Sequence, residues 1–226
     1  MTFPRLLLSA LLVPLVGCTT VPKYMQAFQR SEKTTFHTAS MRVDAVRAYR
    51  SKATGGDTPD QQQIVTQLAQ QIQVEPDPLV RVAIIDTLAA FRTPQAATVI
   101  ELGLGDEDVD VRRHCCRALG ERGDPAGVPV LARVINSEPD LNVRVAAVDA
   151  LGEINSPDAY TALAVAMEDR DPALQYAGVK SMKSISGQDF GGRVESYLQY
   201  ARGQTPTNTE SDEISVAGRV RDMMPF

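Results

Sequence analysis

A short motif recurs four times at nearly constant spacing, and it constrains this chain more than any single residue does. The segments are Asp77-Pro-Leu-Val80-Arg81, Asp108-Val-Asp-Val111-Arg112, Asp140-Leu-Asn-Val143-Arg144 and Asp171-Pro-Ala-Leu174-Gln175, their Asp residues 31, 32 and 31 positions apart. Self-similarity at that period is the mark of a solenoid, in which each unit buries its apolar face only against its neighbours. Such chains usually present a surface for binding, and the period does not name the ligand.

Behind each basic residue runs an apolar ladder at helical spacing, Val80, Ala83, Ile84, Leu88 and Phe91 in one unit and Val143, Ala146, Ala147, Leu151 and Ile154 in another. Ala83, Ala146 and Ala177 hold one register, where a longer side chain would separate two packed helices. A second helix per unit is announced by a capping residue before proline at Thr58-Pro59, Thr93-Pro94, Asp124-Pro125 and Ser156-Pro157. Gly120, Gly123 and Gly152 are read as the tight turns between the two helices. The fold expected is all-α, an α-solenoid of about four to five helical hairpins.

Upstream, Met41-Arg42-Val43 imitates the start of a unit without its Asp, and the extra length before the next unit falls in 52–57, which contains Gly55-Gly56. Downstream, Gly187–Gly192 breaks the pattern and 194–201 reads as one closing helix. The D-x-x-V-R start, the A-A/V-x-A-L-G continuation and the Pro-led helix resemble the HEAT repeat family, in particular its short-period, phycobilisome-lyase-type form. The resemblance covers about residues 38–202; the fourth unit departs from it, with Gln175 for Arg and Met182-Lys183 for Leu-Gly. It implies an architecture and is nearly silent on activity.

The first seventeen residues carry one charge, Arg5, then an apolar run too short for a comfortable membrane span, ending in Leu15-Val16-Gly17-Cys18. That ending resembles the bacterial lipobox, which implies cleavage before a lipid-modified Cys18. Two or three acyl chains, at about 0.8 kcal/mol per buried methylene, anchor a protein essentially permanently. Thr19 at the next position, rather than an Asp, favours the outer membrane, facing the periplasm. The organisation expected is a signal peptide over 1–17, a tether and first helix over 18–37, the solenoid over 38–202 and a flexible tail over 203–226.

Without the signal, 22 basic residues stand against 28 acidic ones. A mildly acidic exported protein is a poor partner for nucleic acid or anionic lipid surfaces. His114-Cys115-Cys116 is the one run suggestive of metal or thiol chemistry. Consecutive helical residues diverge by about 100°, however, and no second Cys or His lies three or four positions away. Both thiols align with core positions, and His114, in place of the recurring Ala, needs a hydrogen-bond partner. There is no Gly-x-Ser-x-Gly, His-Glu-x-x-His or phosphate-loop pattern. Neither catalytic residues nor a metal or cofactor are therefore expected.

The repeating Asp and Arg residues, Asp77 and Arg81, Asp108 and Arg112, Asp140 and Arg144, are expected to serve structure. The family resemblance implies that such an Arg hydrogen-bonds an Asp of its own or the next unit, forming a ladder. The family resemblance also implies that the second helices line the concave side, so binding is expected on their exposed stripe. Counted from the repeating Arg, that stripe carries Val82, Asp86 and Ala90, then Arg113, Arg117 and Glu121, then Val145, Asp149 and Glu153, then Tyr176, Lys180 and Ser184. Arg113 and Arg117 beside Tyr176 have the composition of an interaction hot spot; an ordinary solvated face with i,i+4 ion pairs is the alternative. The function expected is a lipid-anchored adaptor for envelope proteins. The alternatives are a lyase-type module assisting an enzyme and a protein that handles thiols or metals through His114, Cys115 and Cys116.

Overall fold

The computed structural model describes residues 38–206. Within them are ten α-helices: α1 (Ala39–Ala48), α2 (Pro59–Val74), α3 (Pro78–Leu88), α4 (Pro94–Gly103), α5 (Val109–Arg122), α6 (Val128–Ser137), α7 (Leu141–Leu151), α8 (Pro157–Met167), α9 (Pro172–Ser186) and α10 (Val194–Ala201). No strand occurs among the described residues. Cys18, the tether and the tail from 207 onward lie outside them.

Local chemistry sets most of the helix starts. Asp77, Asp108, Asp140 and Asp171 all cap helices, each accepting from the N–H two residues on at 2.8–2.9 Å, which satisfies a donor that the helix itself leaves unpaired. Thr38 does the same for α1, accepting from the Met41 N–H at 3.3 Å, so the missing Asp of the first unit has a substitute. Thr58, Thr93 and Ser156 cap the Pro-led helices. The third such start behaves differently: Asp124-Pro125 opens a 3-10 turn, Pro125–Gly127, and the α-helix begins only at Val128.

Two layers result. The Asp- or Thr38-capped helices stack in the order α1, α3, α5, α7, α9, and the others pack behind them. The tighter hairpins are α4–α5, α6–α7 and α8–α9, so a Pro-led helix comes first and an Asp-capped helix second. This corrects the phase read from the motif, which put the Asp-capped helix first. One continuous core runs from Val46 to Leu198, with Ile84, Leu88, Phe91, Leu131, Leu151 and Leu163 fully buried. It grows by neighbour-to-neighbour burial, as expected of a solenoid.

Of the three glycines read as turns, Gly123 closes α5 at φ +62° and Gly152 caps α7 in the turn that follows it, whereas Gly120 lies inside α5. Gly120 and Gly152 are also packing residues. A Cβ on Gly120 would lie 2.8 Å from the Ala150 Cα, and one on Gly152 would lie 2.7 Å from the Ser181 Cβ. These are the points where α5 meets α7 and α7 meets α9, so the missing side chain sets how closely the layers approach.

Candidate functional site

The repeating Arg builds a ladder to the next unit, but the acceptors are not the repeating Asp residues. Arg81 donates through Nε and Nη2 to Asp106 at 2.9 and 2.8 Å, and Arg112 to Glu138 at 3.1 and 2.9 Å. Arg144 reaches Asp169 at 2.5 Å and the Ile135 carbonyl at 2.7 Å. Arg42 adds an earlier rung to Glu75, at 3.1 and 2.9 Å. Each acceptor belongs to the next unit and stands two residues before its capping Asp. Asp108 and Asp140, and Asp77 likewise, are therefore caps rather than rungs; their own N–H groups donate to Asp106, Glu138 and Glu75.

Each rung carboxylate thus takes a guanidinium from one unit and a backbone N–H from its own. Arg81 and Arg112 also donate Nη1 to carbonyls of the turn before their helix, at 2.9–3.3 Å. Gln175 keeps that second role alone, donating to the Asp169 carbonyl at 2.7 Å. Burial raises the Glu138 carboxyl, but the Arg112 hydrogen bond, the Asp140 N–H and the Arg112 charge outweigh it and hold the group below its ordinary range. Asp106 is held low in the same way, with Arg81 and the Asp108 N–H opposing burial.

The stripe residues lie on α3, α5, α7 and α9, in register along one layer, except Ala90 and Glu153, which stand in the turns just past α3 and α7. The row five residues past each Arg reads Arg47, Asp86, Arg117, Asp149, Lys180, alternating in sign from helix to helix. Lys180 and Asp149 form an ion pair at 3.2 Å. Arg113 pairs with Asp110 on its own helix at 2.8 Å. The row one residue past each Arg reads Val43, Val82, Arg113, Val145, Tyr176, and Tyr176 is 72% exposed. Because α7 lies between α5 and α9, Val145 separates Arg113 from Tyr176; they share a row and are not neighbours.

Two elements of this face escaped the sequence reading. Arg50, from the turn after α1, donates to the Asp86 carbonyl at 2.5 Å and to the Glu121 carboxylate, strapping α1 to α3 and α5. His114 finds its partner in Asp86, Nδ1 to Oδ1 at 2.8 Å. Burial raises Glu153 above the ordinary carboxyl range; the neighbouring Glu121 and Asp149 add to this and Arg117 opposes it.

Cys115 and Cys116 are fully buried. Cys115 packs where a side chain on Gly103 would collide, its Sγ 2.5 Å from the position of a Cβ there. Burial raises both thiols, Cys116 to about 12. Among the described residues no cluster of three His, Cys, Asp or Glu side chains is arranged to hold a metal ion, and no helix there is long and apolar enough to cross a membrane.

Two stacked layers of short helices with a repeated carboxylate–arginine rung define an α-solenoid. The sequence profile of HEAT repeats matches residues 65–150 and 134–191, together more than half of the chain. The chain belongs to the HEAT repeat family. Human deoxyhypusine hydroxylase, solved with glycerol, is similar at 23% identity with a TM-score of 0.51, over 55% of this chain and 44% of that one. The CpcE–CpcF complex of phycocyanin lyase from Nostoc sp. PCC7120 gives 18% identity and the same TM-score, 0.51, over 82% of this chain and 71% of that one. At these identities the likeness is one of fold, and the chain spans less than half the length of the hydroxylase. No match was found among curated proteins.

Proposed function

We propose that this HEAT-repeat protein is a non-catalytic adaptor, anchored through a lipid-modified Cys18 to the outer membrane and facing the periplasm, which captures envelope proteins on its Asp-capped layer. The observation that carries the reading is the continuous stripe on that layer. Five helices present an alternating row of charges beside a row ending in the exposed Tyr176, a surface suited to a polar partner with an aromatic anchor. The anchor rests on Leu15-Val16-Gly17-Cys18 and the short apolar run before it.

The test is mass spectrometry of the chain from a Gram-negative host after separation of the two membranes. Acylated Cys18 as the N-terminal residue in the outer-membrane fraction is expected, and Cys18→Ser should release the chain. An unmodified Cys18 in a soluble protein would remove the anchored part of the proposal.

A further inference from the structure

The last unit of the solenoid presents a groove of about 640 Å³ between the start of α8 and the end of α10, lined by Pro157, Tyr160, Tyr200 and Ala201 and by residues 203–206. The Tyr160 and Tyr200 rings stand 6.1 Å apart, and the Tyr160 hydroxyl donates to the Ile185 carbonyl at 3.3 Å, which fixes that ring. Each earlier Pro-led helix has a successor beside it, as α6 has α8. The successor of α8 is α10, with eight residues against eleven. A solenoid end needs a cap, because its last unit has no neighbour against which to bury its outer face.

The chain itself is steered into this groove. After α10, Gly203 at φ +70° donates to the Tyr200 carbonyl and Gln204 to the Gln199 carbonyl, both at 2.9 Å, the paired bonds of a helix-ending reversal. The backbone turns back, residues 204–206 line the groove, and Pro206 is half-buried there. Residues 207–213 hold no apolar side chain, whereas 214–226 hold seven, among which Val216, Ala217, Val220, Met223 and Met224 recur at helical spacing. The seven residues between Pro206 and Ile214 reach up to about 26 Å, more than the length of α8, about 16 Å. A tether this short holds the segment at an effective concentration of about 1 mM, so an intrinsic affinity of about 0.1 mM gives about 90% occupancy. Methionine thioethers pack well against aromatic rings. We propose that residues 214–226 fold back onto the groove, with the methionines against Tyr160 and Tyr200, and cap the end of the solenoid. This inference rests on neither the anchor nor the stripe.

The test compares the full chain in detergent micelles with the chain truncated after Pro206 and with full-length Val220→Asp/Met224→Asp, whose changes lie outside the helices of the solenoid. Both alterations are expected to lower the melting temperature by about 3 °C or more. A synthetic peptide of residues 214–226 is expected to bind the truncated chain with a Kd of about 0.1 mM and the parent at least tenfold more weakly, because the tethered copy competes. Replacing Met224 with photoreactive benzoylphenylalanine locates the contact: the expected cross-links join it to α8 and α10 of the same chain. A melting temperature unchanged by truncation, a peptide that binds both chains equally or neither, or cross-links that fall elsewhere or join two chains overturns the proposal.

Discussion

Arg112 and Glu138 join two successive units through a fork, Nε to Oε2 at 3.1 Å and Nη2 to Oε1 at 2.9 Å, with both side chains less than 15% exposed. Planar, bidentate geometry of this kind is available to Arg and not to Lys. Arg112→Lys should therefore cost about 1–2 kcal/mol and Arg112→Ala, which leaves the Glu138 carboxylate unpaired, about 3 kcal/mol. Urea unfolding checks both. Because solenoid units couple only to neighbours, the loss should first appear as broadening of the transition at the α5–α7 boundary.

The same rungs set the acid limit. Asp106 and Glu138 titrate below their ordinary values of 3.8 and 4.5 in the folded chain, so the unfolded chain binds protons first as the pH falls. Their contribution to stability is full above about pH 4.5 and is lost as the pH drops through the lowered folded values. Glu138→Gln should destabilise at pH 7 and approach the parent near pH 3. A difference in urea midpoint that stays constant between those pH values would contradict this linkage.

Gly152→Ala should be worse than Gly123→Ala. At Gly152 the new methyl meets the Ser181 Cβ and Cα at 2.7 and 3.0 Å, forcing two helices apart, which costs about 1–3 kcal/mol. At Gly123 the space is open and only the positive φ resists, about 1 kcal/mol. Thermal melts of the two variants rank them.

The thiols should be inert in the folded chain. With Cys115 and Cys116 fully buried and both raised by burial, Cys116 to about 12, labelling by a maleimide at pH 7 should require denaturant. Rapid labelling of either under native conditions would reopen the thiol-handling alternative, as would a metal ion lost from the folded Cys115→Ala/Cys116→Ala variant.

The architecture was legible because the repeat writes one local solution several times: a cap, an apolar ladder and a Pro-led start, each enforced by backbone chemistry. What the motif hides is phase and partner choice. Asp77 to Arg81 looks like a pair because the residues are close in sequence, yet the Arg reaches 25 positions on to Asp106, whereas Asp77 caps a helix. The signal was present, since a carboxylate stands two residues before each of the four repeating Asp residues, at Glu75, Asp106, Glu138 and Asp169. Gly120 misled for a related reason: glycine serves turns and close packing alike, and Gly152 does both, capping α7 while lying against Ser181. The stripe residues followed from register alone, while the Arg50 strap depends on contacts across three helices that no local pattern encodes.

The adaptor proposal is tested most directly by cross-linking the lipidated chain in intact cells, comparing the parent with Arg113→Glu/Arg117→Glu. Both arginines are surface residues whose reversal should leave the fold intact. The expected result is a discrete cross-linked partner in the outer-membrane fraction that falls at least tenfold in the double variant while the melting temperature holds. A partner captured equally by both chains, but lost on truncation after Gly203, would contradict the stripe as the binding surface and assign capture to the tail.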